Sequence, residues 1–84
     1  MNYFLSNHAK EKIKIRKIPI NLIEEVLNYP QQTIEQDDLT IFQSIIKIKD
    51  IEYLLRIFVN TDKIPDLIVI VYLTNNISKY WREQ

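Results

Sequence analysis

Hydrophobic residues recur at helical spacing in the first third of the chain. Ser6 is a suitable N-cap, and Pro19 disfavours helical backbone at Ile18, so we expect a first helix near residues 6 to 17. A second helix is predicted near residues 21 to 29, because apolar residues again share one face: Leu22, Ile23, Val26 and Leu27. The apolar residues 3 to 5 suit either a brief strand or a lead-in to the first helix.

From residue 32 onward the pattern changes to the two-residue period of β-strands. We expect strands near residues 32 to 36, 39 to 49, 51 to 60 and 66 to 74. The chain is therefore predicted to be a single α+β domain over residues 1 to 84, with two N-terminal helices packed on a three- to four-stranded antiparallel sheet. The predicted core consists of seven apolar residues: Leu22, Val26, Ile45, Leu55, Ile57, Val69 and Val71.

Composition excludes several classes of function. The chain has no glycine, no cysteine and one histidine, which rules out a P-loop, a dinucleotide fingerprint, a disulfide and a thiolate metal site. We therefore expect no metal and no cofactor. The longest apolar run, Leu67 to Leu73, is far shorter than the roughly 20 residues of a transmembrane helix. The N-terminus also lacks a basic region ahead of an apolar one, so we expect a cytoplasmic protein.

Charge is zero in total but uneven along the chain. Residues 1 to 20 carry five Lys or Arg against one Glu, whereas residues 21 to 38 carry five Asp or Glu and no Lys or Arg. A neutral total argues against a protein that coats nucleic acid through a broad positive field. A local basic patch can still bind a few phosphates.

Three cation-capable residues form one stripe of the first helix. At about 100° per residue, His8, Lys12 and Arg16 lie on one side, which we expect to face the body of the domain. Arg56 alternates onto an apolar face of its strand with Leu54 and Phe58. We expect Arg56 to line one groove with the three residues of the stripe, between the first helix and the sheet, where they bind RNA phosphate. The other interpretation is purely structural. His8 then ends or packs the helix, and Lys12 and Arg16 cover apolar surface and pair with carboxylates of Glu24, Glu25 or Asp38. Arg56 pairs with Glu52 or Glu35.

The spacing of these residues is also a family mark. The pattern Ser6-x-His8-Ala9-x-x-Lys12-x-x-x-Arg16, followed by Glu25-Val26-Leu27-x-x-Pro30 and a late Lys79-Tyr80-Trp81, resembles a widespread bacterial domain family that begins S-x-H-A-x-x-R. That family is similar to the RelE/ParE superfamily of small toxins, with BrnT among its nearer relatives. The resemblance covers nearly the whole chain and implies two helices on an antiparallel sheet.

The resemblance implies a toxin of a type II toxin-antitoxin system, and we expect this toxin to cleave RNA phosphodiester bonds without a metal. His8 and Arg16 stand at the family's His and second Arg, whereas Lys12 replaces an Arg and loses its bidentate phosphate geometry. His8 would then be the general base or acid, and Lys12, Arg16 and Arg56 would stabilise charge on the phosphate. Superfamily members include ribosome-dependent mRNA endonucleases, free ribonucleases and gyrase-poisoning toxins, so kinship leaves the reaction open.

Aromatic and basic residues near the C-terminus are candidates for holding single-stranded RNA. The predicted RNA-binding set is Tyr72, Lys79, Tyr80 and Trp81. Sheet packing is the structural alternative for Tyr72, and covering a sheet edge or a helix is the alternative for Trp81.

A second class of function competes with RNA cleavage. A small sheet with an open edge and a detachable C-terminal segment suits a non-catalytic protein-binding module, with a cognate antitoxin as the candidate partner. A third alternative is a degenerate or purely structural domain.

Overall fold

A computed structural model describes residues 2 to 83 as an α+β fold with both predicted helices and all four predicted strands. The elements, in chain order, are β1 (Tyr3–Leu5), α1 (Asn7–Arg16), α2 (Ile20–Asn28), β2 (Gln32–Gln36), β3 (Leu39–Ile48), β4 (Ile51–Asn60), β5 (Asp66–Thr74) and the short α3 (Ile77–Tyr80). The α+β class is confirmed, and the boundaries of the predicted helices and strands differ from the observed ones by no more than one residue.

The sheet is mixed and has five strands, in the order β1-β5-β4-β3-β2. The predicted antiparallel pairing is confirmed for β2 to β5, but the predicted number of three or four strands is too low. The difference is β1, which pairs in parallel with β5 and adds an edge strand. Ser6 extends this pairing, because its backbone N–H donates to the Ile68 carbonyl and its hydroxyl donates to the Val69 carbonyl.

Local signals account for both ends of α1. Ser6 is the N-cap, and its side chain accepts a hydrogen bond from the Ala9 N–H. At the other end Lys17 adopts a left-handed conformation, and the Ile18 N–H reaches back to the Ile13 carbonyl in a Schellman motif. Ile18 is buried against the core, so the motif also fixes the direction in which the chain leaves the helix.

Two tight turns form the hairpins of a chain that has no glycine. Asp37 and Asp38 join β2 to β3, and Lys49 and Asp50 join β3 to β4. All four residues have positive φ, as type I′ turns require. Asp tolerates this region better than most residues, whereas Lys49 and the helix-ending Lys17 occupy it against their preference.

The hydrophobic core lies between the two long helices and one face of the sheet, which we call the inner face. Ala9 of α1, Ile23 of α2 and Ile57 of β4 are completely buried there. Four residues of the predicted core are buried as expected: Val26, Leu55, Ile57 and Val71.

The other three predicted core residues are only partly buried. Ile45 pairs with Leu54 on the opposite face of the sheet, which we call the outer face. Val69 is the extra residue of a β-bulge, because β4 pairs with Ile68 and Ile70 but skips the residue between them. Leu22 lies at the edge of the core, on the side of α2 that faces a surface groove.

None of the helices within residues 2 to 83 has the length and apolar character needed to cross a membrane.

Candidate functional site

Arg56 and the first helix lie on opposite faces of the sheet. Leu55 and Ile57 belong to the inner-face core together with Ala9 of α1. Because successive residues of a strand point to opposite faces, Arg56 between them points to the outer face. The predicted groove shared by His8, Lys12, Arg16 and Arg56 is therefore wrong. Alternation along β4 grouped Arg56 correctly with Leu54 and Phe58, but both faces of this strand are apolar, and the pattern could not tell which one α1 covers.

The basic stripe of α1 does not face the core as a unit. His8 and Arg16 are exposed and Lys12 is half-buried, whereas Ala9 and Ile13 face the sheet. The buried face of the helix is thus displaced by about one residue's rotation from the predicted one. His8 and Lys12 line a shallow depression together with Glu11 and Ile15.

Arg16 is tied to the sheet and stands apart from that depression. Its Nη1 donates a hydrogen bond of 3.0 Å to the Leu73 carbonyl of β5. Arg16 therefore links the end of α1 to the strand beneath it.

A row of polar side chains crosses the outer face. Strand pairing aligns Gln32 of β2, Gln43 of β3, Arg56 of β4 and Tyr72 of β5, and we call these four residues the polar row. Arg56 Nε donates to Gln43 Oε1 at 2.9 Å, and Gln43 Nε2 donates to Gln32 Oε1 at 2.7 Å. Gln43 is completely buried at the centre of this network.

The polar row binds the backbone of the C-terminal segment, residues 77 to 83. Gln43 Nε2 also donates to the Tyr80 carbonyl at 3.2 Å. Gln32 holds Arg82 as a neighbouring strand would, because its Nε2 donates to the Arg82 carbonyl at 2.6 Å and its Oε1 accepts from the Arg82 N–H at 3.2 Å. These contacts fix the C-terminal segment across the outer face.

Arg56 lies among aromatic rings beneath this segment. Its Cζ is 4.5 Å from the ring centroid of Tyr80 and 5.1 Å from that of Phe58, which are cation–π distances. The Tyr72 ring meets the Tyr80 ring edge-on, with centroids 5.6 Å apart, and Lys79 Nζ is 5.3 Å from the Tyr80 centroid.

The charged and phenolic groups of this cluster influence one another. Burial lowers the pKa of Arg56, the nearby phenols of Tyr80 and Tyr72 oppose that shift, and the charge of Arg82 adds to it. Interaction with the Tyr72 hydroxyl lowers the pKa of Tyr80, and Lys79 and Arg56 act in the same direction. Within residues 2 to 83, no carboxylate is among the groups that shift the pKa of Arg56.

The structure thus divides the predicted site residues between two places. Arg56, Tyr72, Lys79 and Tyr80 meet on the outer face, and the half-buried Trp81 follows them in the C-terminal segment. His8 and Lys12 lie on α1. Sequence reasoning missed Gln32 and Gln43. For Gln43 the available signal was a polar residue among the apolar outer-face positions of β3, whereas the outer-face positions of β2 are mostly polar and give no such signal for Gln32.

The edge of β3 is a separate feature. Strand β2 pairs only with residues 39 to 43, so residues 44 to 48 have no partner strand on that side within residues 2 to 83. The Gln31 side chain makes the hydrogen bonds that a partner strand would make at Ile45. Its Oε1 accepts from the Ile45 N–H at 3.0 Å and its Nε2 donates to the Ile45 carbonyl at 3.4 Å. A groove between this edge and α2 is lined by Leu22, Glu25, Val26, Tyr29, Gln31, Ser44, Ile45, Ile46 and Lys47.

Within residues 2 to 83 there is no group of three or more His, Asp or Glu side chains that could hold a metal ion. Comparison of the chain with protein-family models, with curated proteins and with solved structures gives no match. The resemblance to the toxin superfamily therefore remains a prediction from the sequence motifs.

Proposed function

We propose that this chain is a non-catalytic protein-binding module that takes up an extended segment of a partner along the free half of β3. The observation that carries this proposal is the hydrogen bonding of Ile45. A side-chain amide from Gln31 occupies both backbone groups of that residue, in the manner of a paired strand. An edge that accepts an amide in this geometry is suited to strand addition.

The backbone next to Ile45 offers further hydrogen bonds. Residues two apart in a strand direct their N–H and C=O groups to the same edge, so those of Lys47 point outward as those of Ile45 do. Strand β2 ends its pairing at Gln43 and leaves this position uncovered. A partner strand would extend the line of β2 and pair with Lys47.

Side-chain recognition would come from the adjoining groove. Leu22, Val26 and Ile46 supply apolar surface, and the 80% exposed Tyr29 stands among the lining residues. Glu25 and Lys47 add one charge of each sign. An extended segment that alternates apolar and polar residues would bury one set in the groove and keep the other in water.

The resemblance to toxins makes a cognate antitoxin the first partner to examine. In that case the protein belongs to a toxin-antitoxin pair, and the antitoxin contributes the added strand. A small acidic protein encoded beside this chain is the candidate that the resemblance suggests.

Strand addition is tested by Lys47→Pro, with Lys47→Ala as the matched control. Proline removes a backbone N–H that points away from β4, and edge strands tolerate proline at such a position. Alanine removes only the lysine side chain beyond Cβ. For extended peptides selected on the wild type from a random display library, we expect at least tenfold weaker binding to the proline variant and less than twofold change for the alanine variant. Equal affinity for both variants, with folding verified by circular dichroism, would refute the proposal.

Metal-independent RNA cleavage is the second candidate function. It is supported by the solvent access of His8, which shares its depression on α1 with Lys12. His8 could take the 2′-hydroxyl proton or protonate the leaving 5′-oxygen, while Lys12 stabilises the phosphate charge. Incubation of RNA with the purified protein and EDTA tests this function. RNA fragments that form with the wild type and are absent with His8→Ala support a ribonuclease. RNA that stays intact shows that the protein alone does not cleave free RNA.

A further inference from the structure

Arg56 is a buried cation with an incomplete set of partners. The residue is only 7% exposed, and its one side-chain hydrogen bond within residues 2 to 83 is the one from Nε to Gln43. Burial of a charge is costly unless hydrogen bonds or an opposite charge offset it. The rings of Phe58 and Tyr80 compensate in part through their π faces.

The remaining hydrogen-bond donors of Arg56 reach solvent. Every fully buried side-chain nitrogen and oxygen in the described part of the chain has a hydrogen-bond partner. Nη1 and Nη2 of Arg56 have none there, so both retain access to the surface. A guanidinium presents these two nitrogens in one plane, at a spacing that matches two oxygens of a single oxyanion.

Two other positively charged side chains lie near Arg56. Lys79 Nζ lies against the same Tyr80 ring as Arg56, and Arg82 is close enough for its charge to act on Arg56. Among the described residues, the groups that act electrostatically on Arg56 are two phenols and one cation. Three positive charges match a phosphate group, which carries up to two negative charges, better than they match a single carboxylate.

We propose that Arg56, Lys79 and Arg82 form a phosphate-binding site on the outer face, in which the two terminal nitrogens of Arg56 bind two phosphate oxygens. Lys79 and Arg82 neutralise the remaining charge from the C-terminal segment. Gln43 is a positioning residue, because its hydrogen bond from Arg56 Nε turns the free edge of the guanidinium outward. This site is independent of the β3 edge and of the α1 depression.

Titration with inorganic phosphate, followed by the NMR signal of the Arg56 Nε–H, tests the site. Sodium chloride at matched ionic strength is the control. We expect saturable shifts with a dissociation constant in the millimolar range or below, and at least fivefold weaker binding in a Lys79→Ala, Arg82→Ala double variant. Both side chains are exposed, and the hydrogen bonds that hold Arg82 to Gln32 come from its backbone, so the double variant should remain folded.

A second variant separates charge from geometry. Arg56→Lys keeps the positive charge and loses the planar pair of donors, so we expect at least tenfold weaker phosphate binding. If Arg56→Lys releases the C-terminal segment, its phosphate affinity no longer reports on the guanidinium alone, and the Lys79→Ala, Arg82→Ala variant then tests the site. Shifts that never saturate, shifts equal to those with chloride, or unchanged affinity in the double variant would overturn the proposal.

The source of the phosphate follows from one competition experiment. A short single-stranded oligonucleotide without a terminal phosphate that displaces inorganic phosphate identifies the ligand as a nucleic-acid backbone. An oligonucleotide that leaves the phosphate shifts unchanged identifies it as a small phosphate-bearing molecule. Either result is consistent with a phosphate site.

Discussion

Replacing Gln43 by leucine should strongly destabilise the fold and release the C-terminal segment. Gln43 is completely buried and holds three partners at once: Gln32, Arg56 and the Tyr80 carbonyl. Leucine has a similar volume and creates no large cavity. The substitution therefore isolates the loss of the hydrogen-bond network.

The expected magnitude follows from the bonds that are lost. The two bonds between neutral groups contribute about 0.5–1.5 kcal/mol each, and the bond from the charged Arg56 contributes about 1.5–3 kcal/mol. Their loss sums to about 2.5–6 kcal/mol of unfolding free energy. A chain of this length has a total stability of about 4–13 kcal/mol, so the variant should lose a large share of it.

Urea denaturation measures the change, and the single tryptophan reports where it occurs. Trp81 is half-buried in the C-terminal segment, so its fluorescence should shift toward that of exposed tryptophan before global unfolding. Gln36→Leu is the matched control, because Gln36 is exposed and makes no side-chain hydrogen bond within the described residues. A loss below about 1 kcal/mol, with native Trp81 fluorescence, would show that the polar row does not hold the segment.

Three further predictions concern the core, the end of α1 and the aromatic cluster. Val71→Asp places an unpaired carboxylate at a fully buried position and should cost several kcal/mol, so a cooperative thermal transition like that of the wild type would contradict the burial of β5. Lys17→Gly relieves a left-handed residue and should raise stability by about 0.5–1 kcal/mol in urea denaturation, and a loss of stability would contradict the cap geometry. Tyr80 should ionise at lower pH than Tyr3, whose pKa is raised by burial and by Glu24. Lys79→Ala should raise the pKa of Tyr80 in an ultraviolet titration. An unchanged pKa of Tyr80 would show that Lys79 is too far away to act on the phenol.

The secondary structure was predictable because its signals are local. The hydroxyl of Ser6 and the restriction before Pro19 act within a few residues of the helix ends that they define. The two hairpin turns are likewise marked by adjacent Asp and Lys residues between alternating strands. The local sequence does not decide whether residues 3 to 5 form a strand, because their partner strand lies far along the chain. The hydrogen bond from Ser6 to Val69 spans 63 residues.

The site was only partly predictable because it depends on which face of the sheet the helices cover. Alternation assigns Arg56 to a face, but Leu55 and Ile57 on one side and Leu54 and Phe58 on the other are all apolar. The two long helices cover the face that carries the first pair, and this packing determines where Arg56 points. The meeting of Gln32 with Gln43 depends in addition on the register of β2 and β3, which no local pattern specifies.

The polar row supplies a register signal that the hydrophobic pattern lacks. When both faces of a strand are apolar, a slip by one residue still buries hydrophobic side chains and is weakly penalised. In β4, however, a one-residue slip would turn Arg56 toward the inner-face core, where the surrounding residues are hydrophobic. A slip by two residues would keep Arg56 on the outer face but separate it from Gln43, leaving a buried charge without its hydrogen bond. The same side chains that hold the C-terminal segment therefore also select the alignment of the central strands.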